Sequence, residues 1–150
     1  MLRIYIDADV LLAGLLSPSD HGAANVLLQL SEATILDAVA SERVIDEAER
    51  NLEEYVGRPE ARSLLDESID AALDVVPNPS ASAIDTFRSV ADSKDVLHVA
   101  CAVGRGCSHL VTYNLSDYPP QYGAGEVEEL TVVTPGTLVR RIRTQMSGLS

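Results

Sequence analysis

Short aliphatic runs recur along the chain, each separated from the next by a longer stretch that suits a helix or a turn. Leu2 to Ile6 (LRIYI), Thr34 to Ala40 (TILDAVA), the DVV of DVVPNPS, Ser108 to Tyr113 (SHLVTY) and Leu130 to Val133 (LTVV) are apolar runs bounded by turn or polar residues. Near-continuous runs of this kind mark strands covered on both faces, and parallel strands must be joined by crossovers, usually helices. The pattern predicts an α/β fold: an α/β/α sandwich with a mostly parallel central sheet of about four to five strands. With 150 residues and no repeat, linker or low-complexity tract, a single domain over 1–150 is expected.

The intervening segments carry the helices. VLLAGLL and AANVLLQL flank the turn-forming SPSDHG, which predicts a helical hairpin or one kinked helix. Ser41 is placed to cap a helix to about Val56, in which Val44, Ile45, Ala48, Leu52, Tyr55 and Val56 share one side of the wheel. Another helix follows Gly57-Arg58-Pro59 and runs to about Leu73. Residues 80 to 91 read as an amphipathic helix, and Asp92 then stands where a new helix would be capped. Val96 to Val103 is apolar nearly all round, the mark of a buried helix ended by Gly104-Arg105-Gly106, and Pro135 opens a terminal helix.

Composition narrows the setting. No stretch reaches the roughly 18 apolar residues of a membrane span, and the N-terminus has no signal-peptide pattern, so a cytoplasmic protein is expected. Cys101 and Cys107 lack zinc-finger spacing and read as small core residues. The formal charge of −12 is opposite to the basic face of a protein that neutralises phosphates directly. It suits an acidic pocket that reaches phosphate through bound cations. Arg140, Arg141 and Arg143 read as the solvated face of the last helix.

In parallel sheets the ligand crevice lies beyond the carboxyl ends of the strands. Asp7 stands there after the first run, with Asp9 two residues on, as a metal-ligand candidate or as the cap of the next helix. Asp95 falls between Val99 and Ala102 on the buried helix, where a carboxylate needs a cation, a basic partner, protonation or the helix dipole. A capping box of Asp92 and Asp95 is the alternative. Glu47 and Glu49 flank opposite edges of their helix's apolar stripe, and the wheel does not choose between them. Thr112, Asn114 and Asp117 lie at a second strand end, where turn formation is the default role of an Asn or Asp. His98 is expected to pack or to bond a backbone carbonyl, since imidazole suits a hard-cation site poorly.

Taken in order, IYIDADVLLAGLL, SERVIDEAERNL and DSKDVLHVACAVGRGCSHLVTYNLSDYP resemble the signature blocks of the PIN-domain family. The last block is the most specific, with a D-x-x-D helix start, a small-residue helix, a glycine turn and L-V-T-x-N-L-x-D-[FY]-P. The resemblance implies that Asp7, Glu47, Asp95 and Asp117 form an acidic catalytic cluster, and it selects Glu47 over Glu49. It further implies a metal-dependent endoribonuclease in which Mg²⁺ or Mn²⁺ is held by Asp7, Asp95 and Asp117. Glu47 would orient water or hold a second ion, Asn114 would bond substrate or a metal-bound water, and Thr112 would orient a carboxylate, contact phosphate or simply pack inward. Small relatives of this kind resemble VapC-like toxins, which implies an RNA substrate, an antitoxin partner and a homodimer, with no membrane association. Asp9, where the family usually has Asn or Ser, and Asn114, where many members have Asp, depart from the pattern.

Two further readings stand beside it. Strand-D-x-D-V-L also matches the nucleophile block of haloacid-dehalogenase-like phosphatases, with Asp7 attacking phosphorus and Asp9 as acid/base. That family needs a Lys ahead of its late acidic block, and Lys94 lies inside it. A non-catalytic PIN-fold binding module would fit the acidic charge and the two departures.

Overall fold

The computed structural model describes residues 1–16, 22–55, 59–88, 95–118 and 130–148. Its strands are β1 (Leu2–Ile6), β2 (Leu36–Ser41), β3 (Leu73–Val76), β4 (His109–Val111) and β5 (Thr131–Val133). The helices are α1 (Ala8–Leu16), α2 (Ala23–Glu32), α3 (Glu42–Tyr55), α4 (Pro59–Ala72), α5 (Ala81–Thr86), α6 (Val96–Gly104) and α7 (Pro135–Gly148). A 3₁₀ turn covers Leu115–Asp117.

All pairings are parallel, in the order β3-β2-β1-β4-β5. The α/β fold with a mostly parallel sheet is as the runs predicted, with five strands flanked by helices. β1 takes the centre, pairing Ile4 with Ala38 on one side and with His109 on the other. The chain builds outward through β2 and β3, then returns to the opposite side of β1 for β4 and β5. Strand order reverses between β1 and β4, and that reversal opens a crevice above their carboxyl ends. The ladder continues to its lip, where the Asp7 amide donates to the Val111 carbonyl (3.1 Å) and the Thr112 amide to that of Val133 (3.0 Å).

Aliphatic residues fill the core, with Ile4, Ile6, Val10, Leu11, Leu27, Val39, Leu65 and Leu110 fully buried. Both cysteines are buried free thiols, which burial pushes up to about 11 for Cys101 and about 12 for Cys107. Ser41 caps α3 as expected, its Oγ accepting the Val44 amide at 3.2 Å. α6 ends in a Schellman turn: Cys107 N–H meets the Ala102 carbonyl at 2.9 Å, Gly106 N–H meets that of Val103 at 3.0 Å, and Gly106 has φ +71°.

The structure differs from the sequence reading at two helices. The helix expected over residues 80 to 91 ends at Thr86, being Ala81–Thr86 capped by Ser80 with no residue buried, and residues 89–91 lie outside the described residues. A segment that short and exposed has little apolar surface to extend it. Asp95, expected at the third position of a helix capped by Asp92, instead occupies the N-cap position of α6, and its side chain makes no capping hydrogen bond. The alternative capping box rests on Asp92, which lies outside the described residues.

At the opposite end of the sheet Arg3 ties three segments together. Its Nε meets Asp37 on β2 at 2.8 Å, Nη2 meets Asp74 on β3 at 3.3 Å, and Nη1 donates to the Arg105 carbonyl at 2.7 Å. Gly14, buried in α1, lets α2 approach closely, since a Cβ there would stand 2.7 Å from Leu28 Cδ1 and 3.2 Å from the Ala24 backbone. Gly14→Val should destabilise the protein by about 1–3 kcal/mol through overpacking. The check is a lower urea midpoint with an unchanged denaturant slope.

Candidate active site

Asp7 enters the crevice directly from β1. Its Oδ1 accepts the Ala8 amide at 2.9 Å and its Oδ2 accepts the Thr112 hydroxyl at 3.0 Å. The residue therefore precedes α1, as a cap would, yet half of its carboxylate is fixed from β4. Thr112 is fully buried, and its Oγ1 also accepts the Asn114 amide at 3.1 Å.

Glu47 comes from α3, whose apolar stripe of Val44, Ala48 and Leu52 is buried against the core. Its carboxylate stands 3.6 Å from Nε2 of His98, with the imidazole 4% exposed and the carboxylate 33%. Glu49, the other edge of the stripe, pairs instead with Arg62 of α4 at 3.2 Å. The choice the helical wheel left open is thus made by a neighbouring helix. The nearby His98 imidazole leads the lowering of the Glu47 carboxyl pKa, against the opposing effect of burial. Burial disfavours a charged His98, but Glu47, Asp7 and Asp95 outweigh it and raise the imidazole pKa.

The imidazole is buried and packs against the Tyr5 ring, one of the two roles expected of it. His98 Nδ1 bonds the Tyr5 hydroxyl at 2.7 Å rather than a backbone carbonyl, and the same hydroxyl lies 2.8 Å from Ser41 Oγ. α6 carbonyls are engaged by their own helix and cap, so the nearest open acceptor comes from β1. Tyr5 is itself fully buried.

Asp95, 8% exposed, sits at the start of α6, where the positive end of the helix dipole favours a carboxylate. Asp117 and Asn114 come from the 3₁₀ turn after β4. Asp9 serves that turn: its Oδ2 accepts the Tyr113 amide at 3.0 Å and the Asn114 side-chain amide at 3.2 Å. Burial and then Asp7 raise the Asp9 pKa, and the Tyr113 amide partly restores it.

Asp7, Glu47, Asp95 and Asp117 thus line one cavity of about 200 Å³, together with Asp9, Asn114, His98 and Asn51. Thr112 is absent from that lining because its hydroxyl is turned to Asp7. Carboxylate and amide oxygens are the donors hard divalent cations take, so the residues fit Mg²⁺ or Mn²⁺. Asp7, Glu47 and His98 each offer a ligand atom within 4.8 Å of the others. Asn51 and His98 were not selected from sequence. Asn51 is signalled only by its position one helical turn after Glu47.

A family model described as a PIN domain matches residues 3–116. No curated protein matches the chain. Among solved structures, the chain is similar to VapBC2 from Rickettsia felis bound to a DNA fragment from their promoter. That match has TM-score 0.66 and 13% identity, covering 89% of this chain and 98% of that one. A Pyrobaculum aerophilum protein matches with TM-score 0.61 and 19% identity over 95% and 96% of the two chains. The Mycobacterium tuberculosis sarcin-ricin loop cleaving toxin VapC20 matches with TM-score 0.55 and 17% identity over 83% and 97%. At these identities the structures speak to the fold.

Thr112→Val removes the hydroxyl that holds Asp7 and the Asn114 amide. The expected loss is about 1–2 kcal/mol of stability, read as a lower denaturant midpoint in EDTA.

Proposed function

This chain belongs to the PIN domain family, and on that footing we propose that it is a divalent-metal-dependent endoribonuclease acting in the groove above β1 and β4. The observation that carries the reading is the convergence of Asp7, Glu47, Asp95 and Asp117 from separate segments on one cavity. Such a concentration of carboxylates raises its own electrostatic cost unless a cation or proton offsets it. The donor set suits Mg²⁺ or Mn²⁺, held by Asp7, Asp95 and Asp117. When bound, the cation supplies acidity to water and neutralises charge developing on the phosphate.

The protein's own groups do the remaining work. Thr112 fixes the rotation of the Asp7 carboxylate, and its burial favours that role over contact with substrate. Glu47, at the more open side of the groove, orients the attacking water or holds a second cation. Asn114 is exposed at the lip, where its side chain can meet the RNA backbone while it is steadied by Asp9. An acidic chain repels RNA at long range, so affinity comes from the local groove.

The resemblance to VapC-like toxins and the fold shared with VapBC2 and VapC20 support an antitoxin partner that covers this groove, a homodimer, and action on RNA in the cytoplasm as one domain. Among the described residues no helix is long and apolar enough to cross a membrane. A phosphatase with Asp7 as nucleophile would leave Glu47 and Asp117 without a task.

Purified Asp95→Asn should lose RNA cleavage in Mg²⁺ or Mn²⁺ on the order of 100-fold, with unchanged far-UV circular dichroism. Glu49→Gln should cleave as the parent does. Full activity in Asp95→Asn sinks the ligand assignment. Metal binding without any cleavage by the parent protein would indicate a binding module instead.

A further inference from the structure

His98 brings a nitrogen donor into a groove otherwise lined by oxygen and amide groups. Its imidazole is fixed from behind: Nδ1 meets the Tyr5 hydroxyl at 2.7 Å, that hydroxyl meets Ser41 Oγ at 2.8 Å, and Ser41 Oγ accepts the Val44 amide at 3.2 Å. All three side chains are buried, His98 to 3% exposure and the other two fully. One consistent proton order has Nδ1–H donating to Tyr5 and Tyr5 donating to Ser41. The lone pair of Nε2 then points into the groove.

This is the arrangement of a metal-ligating histidine, whose second nitrogen is anchored by a fixed hydrogen bond that sets tautomer and ring orientation. Nε2 stands 3.6 Å from Glu47 Oε1. That is long for a hydrogen bond, and it leaves the two atoms near enough for one cation to draw both in as ligands. Asp7 offers a third donor, with all three ligand atoms within 4.8 Å of one another.

We propose that Asp7, Glu47 and His98 form a cation position that selects a transition-series divalent ion over Mg²⁺. The inference rests on the reading that the groove holds catalytic cations, and it names the class of the second one, beside Glu47. Carboxylates alone accept Mg²⁺, Ca²⁺ and Mn²⁺, whereas imidazole suits transition ions. Mg²⁺ also sheds water reluctantly and favours oxygen. Asp7 lies at the junction between this position and the one on Asp95 and Asp117, so a single strand-end carboxylate serves both.

The test uses Mn²⁺ as probe on the full chain, with pulsed electron paramagnetic resonance to detect ¹⁴N coupling to the bound ion. The parent protein should show imidazole nitrogen coupling. It should disappear in His98→Gln and persist in His109→Gln, since His109 starts β4 at the far end of the sheet with Nδ1 beside Ser108. Because His98 is buried, Tyr5→Phe provides a second variant that keeps the ring and removes its anchor. It should weaken Mn²⁺ binding about tenfold while leaving Mg²⁺ binding within about twofold in calorimetry. Stoichiometric Mn²⁺ with no ¹⁴N coupling overturns the inference and leaves the nuclease reading intact. Coupling that survives in His98→Gln also overturns it. Failure to bind Mn²⁺ at all overturns both.

Discussion

Like charge crowded into the reversal of strand order is the constraint on which the rest of this structure depends. Asp7, Asp9, Glu47, Asp95 and Asp117 line about 200 Å³ of space, and half-buried carboxylates so close together repel. The fold offsets that cost piece by piece. Asp7 receives an amide and a threonine hydroxyl, Asp9 an amide and an asparagine, and Glu47 a buried imidazole. Asp7 and Asp95 each stand at the start of a helix, where the backbone is electropositive. The raised pKa of Asp9 shows that compensation is incomplete at that residue. Opposite charge brought into the groove would lower that cost.

The two ends of the sheet divide the labour. Arg3 joins β1, β2, β3 and the turn after α6 at the amino end, through half-exposed pairs that add modest energy. The carboxyl end then carries the charged residues on short connections. Its ladder runs to the last amide before the groove, so Asp7 and Thr112 are held by main chain as well as by each other.

Much of this was legible in the residues, for identifiable reasons. The runs at Leu2 to Ile6 and Leu130 to Val133 lack alternation, and strands buried on both faces leave that trace. Asp95 stood out because a carboxylate among Val99 and Ala102 is anomalous on a buried helix. Other features depend on partners distant in sequence. Glu47 differs from Glu49 only because Arg62 of α4 takes the latter. His98 meets Tyr5 across 93 positions, and no local pattern on α6 signals that meeting. The helix predicted over residues 80 to 91 was too long because periodicity does not reveal that its short realised part, Ala81–Thr86, buries nothing.

The central place of β1 has a consequence for biogenesis. Asp7 and Glu47 are made well ahead of β4, and β1 gains its second neighbour only when β4 has followed. Asp95 and Asp117 arrive with that same late stretch. A nascent chain halted before Asp95 therefore carries Asp7, Asp9 and Glu47 without the strand that completes their groove. The acids therefore come together as one centre only once β4 and the turn after it have been made.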